Sequence, residues 1–138
     1  MKVFLDTNVL MDIVLERNIC LNEELEIIAC AMDGLLDCSV SALSVVNTLY
    51  VSKKYIKPLE DVKNALLKLS ECVEILDIRG LDAANMLSSE WKDYEDSLQY
   101  SSAVNFDADY IITRDKKDFS LSKIPVFTPS EFISLIHS

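Results

Sequence analysis

At 138 residues, half of them hydrophobic, the chain is long enough for one domain, residues 1–138, with a single substantial core. Its formal net charge of −10 excludes nucleic-acid binding through a broad positive field, but not through local basic patches or a bound divalent cation, which inverts the field of an acidic site. The single histidine, His137, is next to last and the only glycines are Gly34 and Gly80, which argues against histidine-based catalysis, G-x-G-x-x-G loops and P-loops and leaves carboxylates as catalytic material.

No apolar run approaches the roughly 20 residues of a membrane span, and the N-terminus lacks the pattern of a signal peptide. The expectation is a cytoplasmic protein that contacts no membrane. Cys20, Cys30, Cys38 and Cys72 form no C-x-x-C pair and stand in apolar surroundings, as expected of buried free thiols.

In chain order, Val3 to Leu5 predict a short buried strand, and Val9, Leu10, Ile13 and Val14 predict the helix after it. Thr7 or Asn8 is the expected cap, so Asp6 falls where a buried strand hands over to a helix N-terminus. In an open parallel sheet that edge binds ligands, which leaves Asp6 equally readable as a turn residue and as a catalytic carboxylate. Asn22 with Glu23 and Glu24 starts a second helix whose expected inner face is Leu25, Ile28, Ala29 and Met32, ended by Gly34. A second strand follows over Leu35 to Val40.

Ser41 then opens a helix with Leu43, Val46, Tyr50 and Val51 at helical spacing, and Asn47 falls on that stripe. An amide there is either satisfied inside the core or turned to a polar site. Lys53, Lys54 and Lys57 close the helix, where cations suit the macrodipole and an RNA-binding patch is compatible. Pro58 fits the first position of a helix faced by Leu59, Val62, Leu66 and Leu69. Val73 to Ile78 predict a third strand near a sheet edge, and Gly80 and Asp82 lead into a helix carrying Ala83, Met86, Leu87 and Trp91.

Asp93 caps the next helix, with Glu95 and Asp96 in its first turn. Such acids need no function, yet Asp96 shares a face with Gln99, Tyr100 and Ala103, and an inward carboxylate is costly without a cation or donors. Asp109 to Thr113 predict a fourth strand, followed by Arg114, Asp115, Lys116, Lys117 and Asp118, a charged turn that repeats the arrangement at Asp6. A fifth strand at Pro125 to Phe127 leads to a capping box of Thr128 and Glu131 with Pro129 in first helical position, and a last helix with Phe132, Leu135 and Ile136 inside.

Strands alternate with helices throughout, which predicts an α/β fold, a three-layer α/β/α sandwich around a five-stranded parallel sheet. Right-handed crossovers with a reversal beside the first strand place strands one and four together, and bring Asp6, Asp96 and Asp115 to one edge.

The order Asp6-Thr7-Asn8-Val9-Leu10, Ser41-Ala42-Leu43-Ser44, Tyr94-Glu95-Asp96-Ser97-Leu98-Gln99, then Thr113-Arg114-Asp115-Lys116-Lys117-Asp118-Phe119, down to Thr128-Pro129-Ser130-Glu131-Phe132, resembles the PIN-domain family over essentially the whole chain. Many small single-domain members are ribonuclease toxins of toxin–antitoxin pairs, of the VapC kind. The resemblance implies a Mg²⁺- or Mn²⁺-dependent ribonuclease, an antitoxin partner and a homodimer. It also implies that Asp6, Asp96 and Asp115 are the metal-binding acids, with Asp118 a further acid and Asn8 and Thr113 pocket residues. Family members commonly carry glutamate where this chain has Asn47, so the site either works with an amide ligand or is a weakened scaffold that binds RNA or protein without cutting.

The implied chemistry suits these residues, because divalent ions on oxygen ligands activate water and stabilise charge on both oxygens of a phosphodiester under attack. Lys53, Lys54, Arg114, Lys116 and Lys117 are then the expected phosphate contacts. A phosphotransfer domain of the receiver or haloacid-dehalogenase type also places an aspartate after its first strand. Here Asn8 stands where a dehalogenase-like site needs a second aspartate, and no lysine–proline pair follows the fifth strand.

Overall fold

The computed structural model describes residues 1–55 and 57–138. Strand β1 (Lys2–Leu5) leads into α1 (Thr7–Val14) and α2 (Leu21–Met32), then β2 (Asp37–Ser41), α3 (Ala42–Ser52), α4 (Leu59–Leu69), β3 (Val73–Leu76) and α5 (Gly80–Met86). The second half runs α6 (Tyr94–Asn105), β4 (Tyr110–Ile112), a 3-10 turn (Lys116–Phe119), β5 (Val126–Phe127) and α7 (Pro129–Ile136). All strand pairs are parallel and the sheet order is β3-β2-β1-β4-β5, so β1 is central, β4 is its neighbour and β3 is an edge, as expected.

The side-chain alternation of a strand divides the core in two. Val3 and Leu5 of β1 and Ile112 of β4 point into the larger cluster, against Val9, Leu10, Ile27, Ile28, Val62 and Phe132 from the helices. Phe4 and Ile111 point to the opposite face, against Ala103 of α6 and Phe119 of the turn. Helices therefore cover both faces of the five-stranded sheet, and its central strands are near-continuous apolar runs for that reason.

Several details differ from expectation. In α2 the inner stripe is Glu24, Ile27, Ile28 and Ala31, while Leu25 and Met32 face solvent, and the cap is Cys20 rather than Asn22. The helix ends as expected at Gly34, whose φ of 76° suits a residue without Cβ. In α3 the fully buried positions are Ser44, Thr48 and Ser52, with Val45 and Leu49 packed beside them, whereas Val46 and Tyr50 are exposed. Both helices are rotated because their inner stripes carry polar side chains satisfied or neutralised inside, which periodicity of apolar residues does not register. Strand β2 starts at Asp37, and α5 stops at Met86, so Trp91 lies on the connection to α6. Of the four thiols, all free, only Cys38 is buried, and burial pushes it up to about 12.

Candidate active site

Strand β1 delivers Asp6 to the carboxyl edge of the sheet beside the end of β4, where the Asp6 N–H donates to the Ile112 carbonyl at 2.9 Å. Extended backbone at Asp6 (φ −70°, ψ 162°) makes it the cap of α1 itself, in place of Thr7 or Asn8. Its carboxylate is 7% exposed. Oδ1 accepts from the Thr7 N–H at 2.8 Å and from Gln99 Nε2 at 3.2 Å, and Oδ2 accepts from the Thr113 hydroxyl at 2.8 Å and Asn8 Nδ2 at 3.4 Å. Burial raises the Asp6 pKa above its ordinary value, the bonds from Thr113, Gln99 and the Thr7 N–H pull against that rise, and the charge of Asp118 adds to it.

Gln99, on the inner face of α6 and almost fully buried, is the hub of this network. Besides Asp6, its Nε2 reaches Thr7 Oγ1 at 2.9 Å and Ser44 Oγ at 2.8 Å, and its Oε1 accepts from the Ser41 hydroxyl. Thr7 and Ser44 share a further bond at 2.6 Å. Four segments, the ends of β1 and β2 with the first turns of α1 and α3, are thus tied to α6 around one carboxylate. From the sequence Gln99 falls on an inward face without an assigned role, and Ser41 is legible only as the residue that opens a helix. Their common signal was small polar residues at strand ends and an amide on an inner stripe.

Asp96 lies one turn before Gln99 on α6, half-buried, with its N–H capped by Asp93 Oδ1 at 3.0 Å. Burial lifts Asp96 to about 7, and the charges of Asp93, Asp6, Asp118 and Glu95 follow as causes. Asp118 sits in the 3-10 turn and is exposed, and its charge acts on both Asp6 and Asp96. Asp115 is exposed at the cap of the same turn, its N–H donating to Thr113 Oγ1 at 3.1 Å. No hydrogen bond among the described residues connects Asn47, on α3, to this network.

The expected cations are placed differently. Arg114 Nε donates to Asp12 Oδ2 at 2.7 Å, and Lys116 pairs with Glu131 of α7 at 3.1 Å, so both are engaged by carboxylates of their own chain. Lys53 sits over the Tyr50 ring at 4.9 Å, beyond the end of α3. Lys117 lines a cavity together with Asp96 and Asp118.

A second buried charge cluster, which the sequence reading missed, holds Arg114 in place. Asp12 of α1, fully buried, accepts from Arg17 Nε at 2.8 Å and from Arg114, and Arg17 Nη2 reaches the Asn8 carbonyl at 3.3 Å. Glu24 of α2 is fully buried beside Asp12, and neither of its oxygens meets a donor. Burial, followed by the neighbouring Asp12, pushes its pKa up to about 9, which favours the neutral carboxyl beside the Asp12 carboxylate.

Asp6, Asp96 and Asp118 form no ion pair among the described residues, which leaves their mutual repulsion uncompensated by protein cations. All their donor atoms are hard oxygens, the chemistry that suits Mg²⁺ or Mn²⁺. Among the described residues no group of three or more acids, histidines or cysteines is placed to hold a metal ion. The donor set therefore fits a hydrated cation held by one or two carboxylates with a substrate phosphate, which is how Mg²⁺ usually binds.

A family model for the PIN domain matches residues 2–117. Ribonuclease VapC1 from Aquifex aeolicus is 31% identical over 139 residues, covering 95% of this chain and 92% of that protein. Among solved structures, VapBC2 from Rickettsia felis, bound to a DNA fragment from their promoter, matches with a TM-score of 0.68 at 18% identity, covering 93% of this chain and 98% of that one. A toxin–antitoxin complex from Klebsiella pneumoniae matches with a TM-score of 0.62 at 25% identity, covering 92% of this chain and 97% of that one.

Proposed function

This chain belongs to the PIN-domain family, and from that premise we propose that it is a metal-dependent ribonuclease of the VapC kind that works as the toxin of a toxin–antitoxin pair. The observation that carries the reading is Asp6, a buried carboxylate at the end of the central strand, held by donors from three elements and facing two acids that no protein cation neutralises.

One or two of Asp6, Asp96 and Asp118 would hold Mg²⁺ or Mn²⁺, with Asp115 as a further carboxylate of the same edge. Bound there, the ion supplies activation of water and stabilisation of charge on the phosphate oxygens. The chain's own residues do the positioning. Gln99 and Thr113 fix the two oxygens of Asp6 so that its lone pairs keep one orientation, and Asn8 locks the loop after β4 by accepting the Arg114 N–H on Oδ1 at 3.2 Å. Asp12 holds the Arg114 side chain from beneath, which fixes the same loop from its other side. Lys117, with Lys92, lines the cavity at the acidic site and is placed to meet a phosphate. The net charge of −10 suits an antitoxin with a basic segment. No helix among the described residues is long and apolar enough to cross a membrane, and the proposed place of action is the cytoplasm, as a homodimer.

The test is cleavage of single-stranded and structured RNA with and without Mn²⁺ or Mg²⁺, with Asp6→Asn prepared in parallel. The amide keeps the shape of the buried side chain and removes its charge, so the fold should survive while the metal-dependent rate falls at least about 100-fold. Equal cleavage by parent and variant sinks the assignment.

A further inference from the structure

We infer that the cavity between the α5–α6 connection and the 3-10 turn is a nucleobase site, in which an RNA base next to the scissile phosphate stacks on Trp91. The inference rests on the ribonuclease reading and names where its substrate's base is held.

The cavity measures about 390 Å³, within the usual range of ligand clefts, and it opens onto the acidic edge because Asp96 and Asp118 belong to its wall. A strand whose phosphate lies at those carboxylates must put a flanking base within one nucleotide of them, and this cavity is where that base arrives. Trp91 supplies the platform. Its ring stacks on Tyr100 with centroids 4.9 Å apart and 27° between planes, and Phe119 meets it edge-on at 5.7 Å. Tyr100 is itself anchored, its hydroxyl accepting the Lys123 N–H at 3.1 Å, and Phe119 is buried. The indole is thus held by two aromatic neighbours while remaining partly exposed in the cavity wall. Aromatic platforms set beside lysines are the means by which single strands are held, and Lys92 and Lys117 line the same wall.

The other wall groups define which base fits. Glu90 and Asp93 are exposed carboxylates on the Trp91 segment, and carboxylates accept from base N–H groups but repel carbonyl edges. Guanine, with its ring N–H and amino group side by side, matches one carboxylate with two donors. Uracil, with two carbonyls, matches worst.

Trp91 is the chain's only tryptophan, so its fluorescence reports the site directly. Asp6→Asn protein is titrated with hexauridylate, with hexauridylate carrying one central guanosine, and with that strand lacking the central base. Quenching by the guanosine strand and affinity about tenfold above the abasic strand are expected, the size of a base–aromatic stack. Trp91→Ala should lose that discrimination, read by fluorescence anisotropy of labelled RNA, while Trp91→Phe keeps part of it. Absence of quenching with equal affinity for guanosine and abasic strands overturns the base site, using the unaltered tryptophan and so independently of any folding defect in the variants. If quenching and discrimination appear but the parent protein cuts no RNA, the base site stands and the ribonuclease reading fails.

Discussion

Glu24 is a carboxyl group with no donor of its own, sealed beneath the loop that carries Arg114, and its proton is therefore part of the fold. With that proton it is neutral beside Asp12, whose charge is met by Arg17 and Arg114; without it, two carboxylates face each other away from water. The folded chain keeps the proton after the unfolded chain has released it, since the folded pKa is raised. The contribution to stability is accordingly full below the ordinary carboxylate range and is lost as pH rises from there through the raised folded value. Glu24→Gln retains a neutral donor toward Asp12 and removes the titration. Melting temperatures of the parent should decline more steeply than those of Glu24→Gln from about pH 5 into the alkaline range. Parallel curves would show that Glu24 is ionised in the fold. Legibility in the sequence ended at this residue for a physical reason: an acid in a first helical turn is ordinarily exposed, and only the arginines brought from elsewhere make its burial tolerable.

At the scale of elements, the strands were readable because both faces of the sheet are covered and each strand is a plain apolar run, as in Val3, Phe4 and Leu5. The capping box at Thr128 and Glu131 was equally readable, its two reciprocal bonds lying at 3.2 and 2.9 Å, because the motif is local. Helix α3 was not. Its inner stripe of Ser44, Thr48 and Ser52 is polar and buried, Ser44 bonding to Thr7 of α1 at 2.6 Å and Thr48 bonding back to the Ser44 carbonyl at 2.7 Å, while Val46 and Tyr50 stay outside. A pair of substitutions checks the rotation. Val46→Lys should change stability by no more than about 0.5 kcal/mol, whereas Thr48→Lys, which buries an unpaired ammonium, should cost about 4 kcal/mol or more in denaturant unfolding. Similar losses for both would return α3 to the orientation its apolar spacing suggested. The candidate site followed the same rule: Asp6 and Asp96 were visible at a strand end and a helix start, but Gln99, acting across four segments, had no local signature.

For the whole molecule, the sheet order β3-β2-β1-β4-β5 places the reversal of strand order beside β1, and this one topological fact assembles carboxylates that are up to 112 positions apart in the chain, from Asp6 to Asp118. It also gives the two halves of the site different lifetimes. Val3, Phe4 and Leu5 are sealed on both faces, and the Asp6 N–H is tied to the Ile112 carbonyl, so that amide can meet solvent deuterium only when β1 and β4 separate, an event close to complete unfolding. The connection bearing Lys92 and Asp93 belongs to no strand ladder, and both residues are exposed. Native-state exchange should therefore protect the Asp6 amide to nearly the full unfolding free energy while Lys92 exchanges within the shortest labelling times. Asp6 is in effect exposed or sealed together with the whole domain, whereas the exposed segment beside the acidic edge exchanges its amides without unfolding.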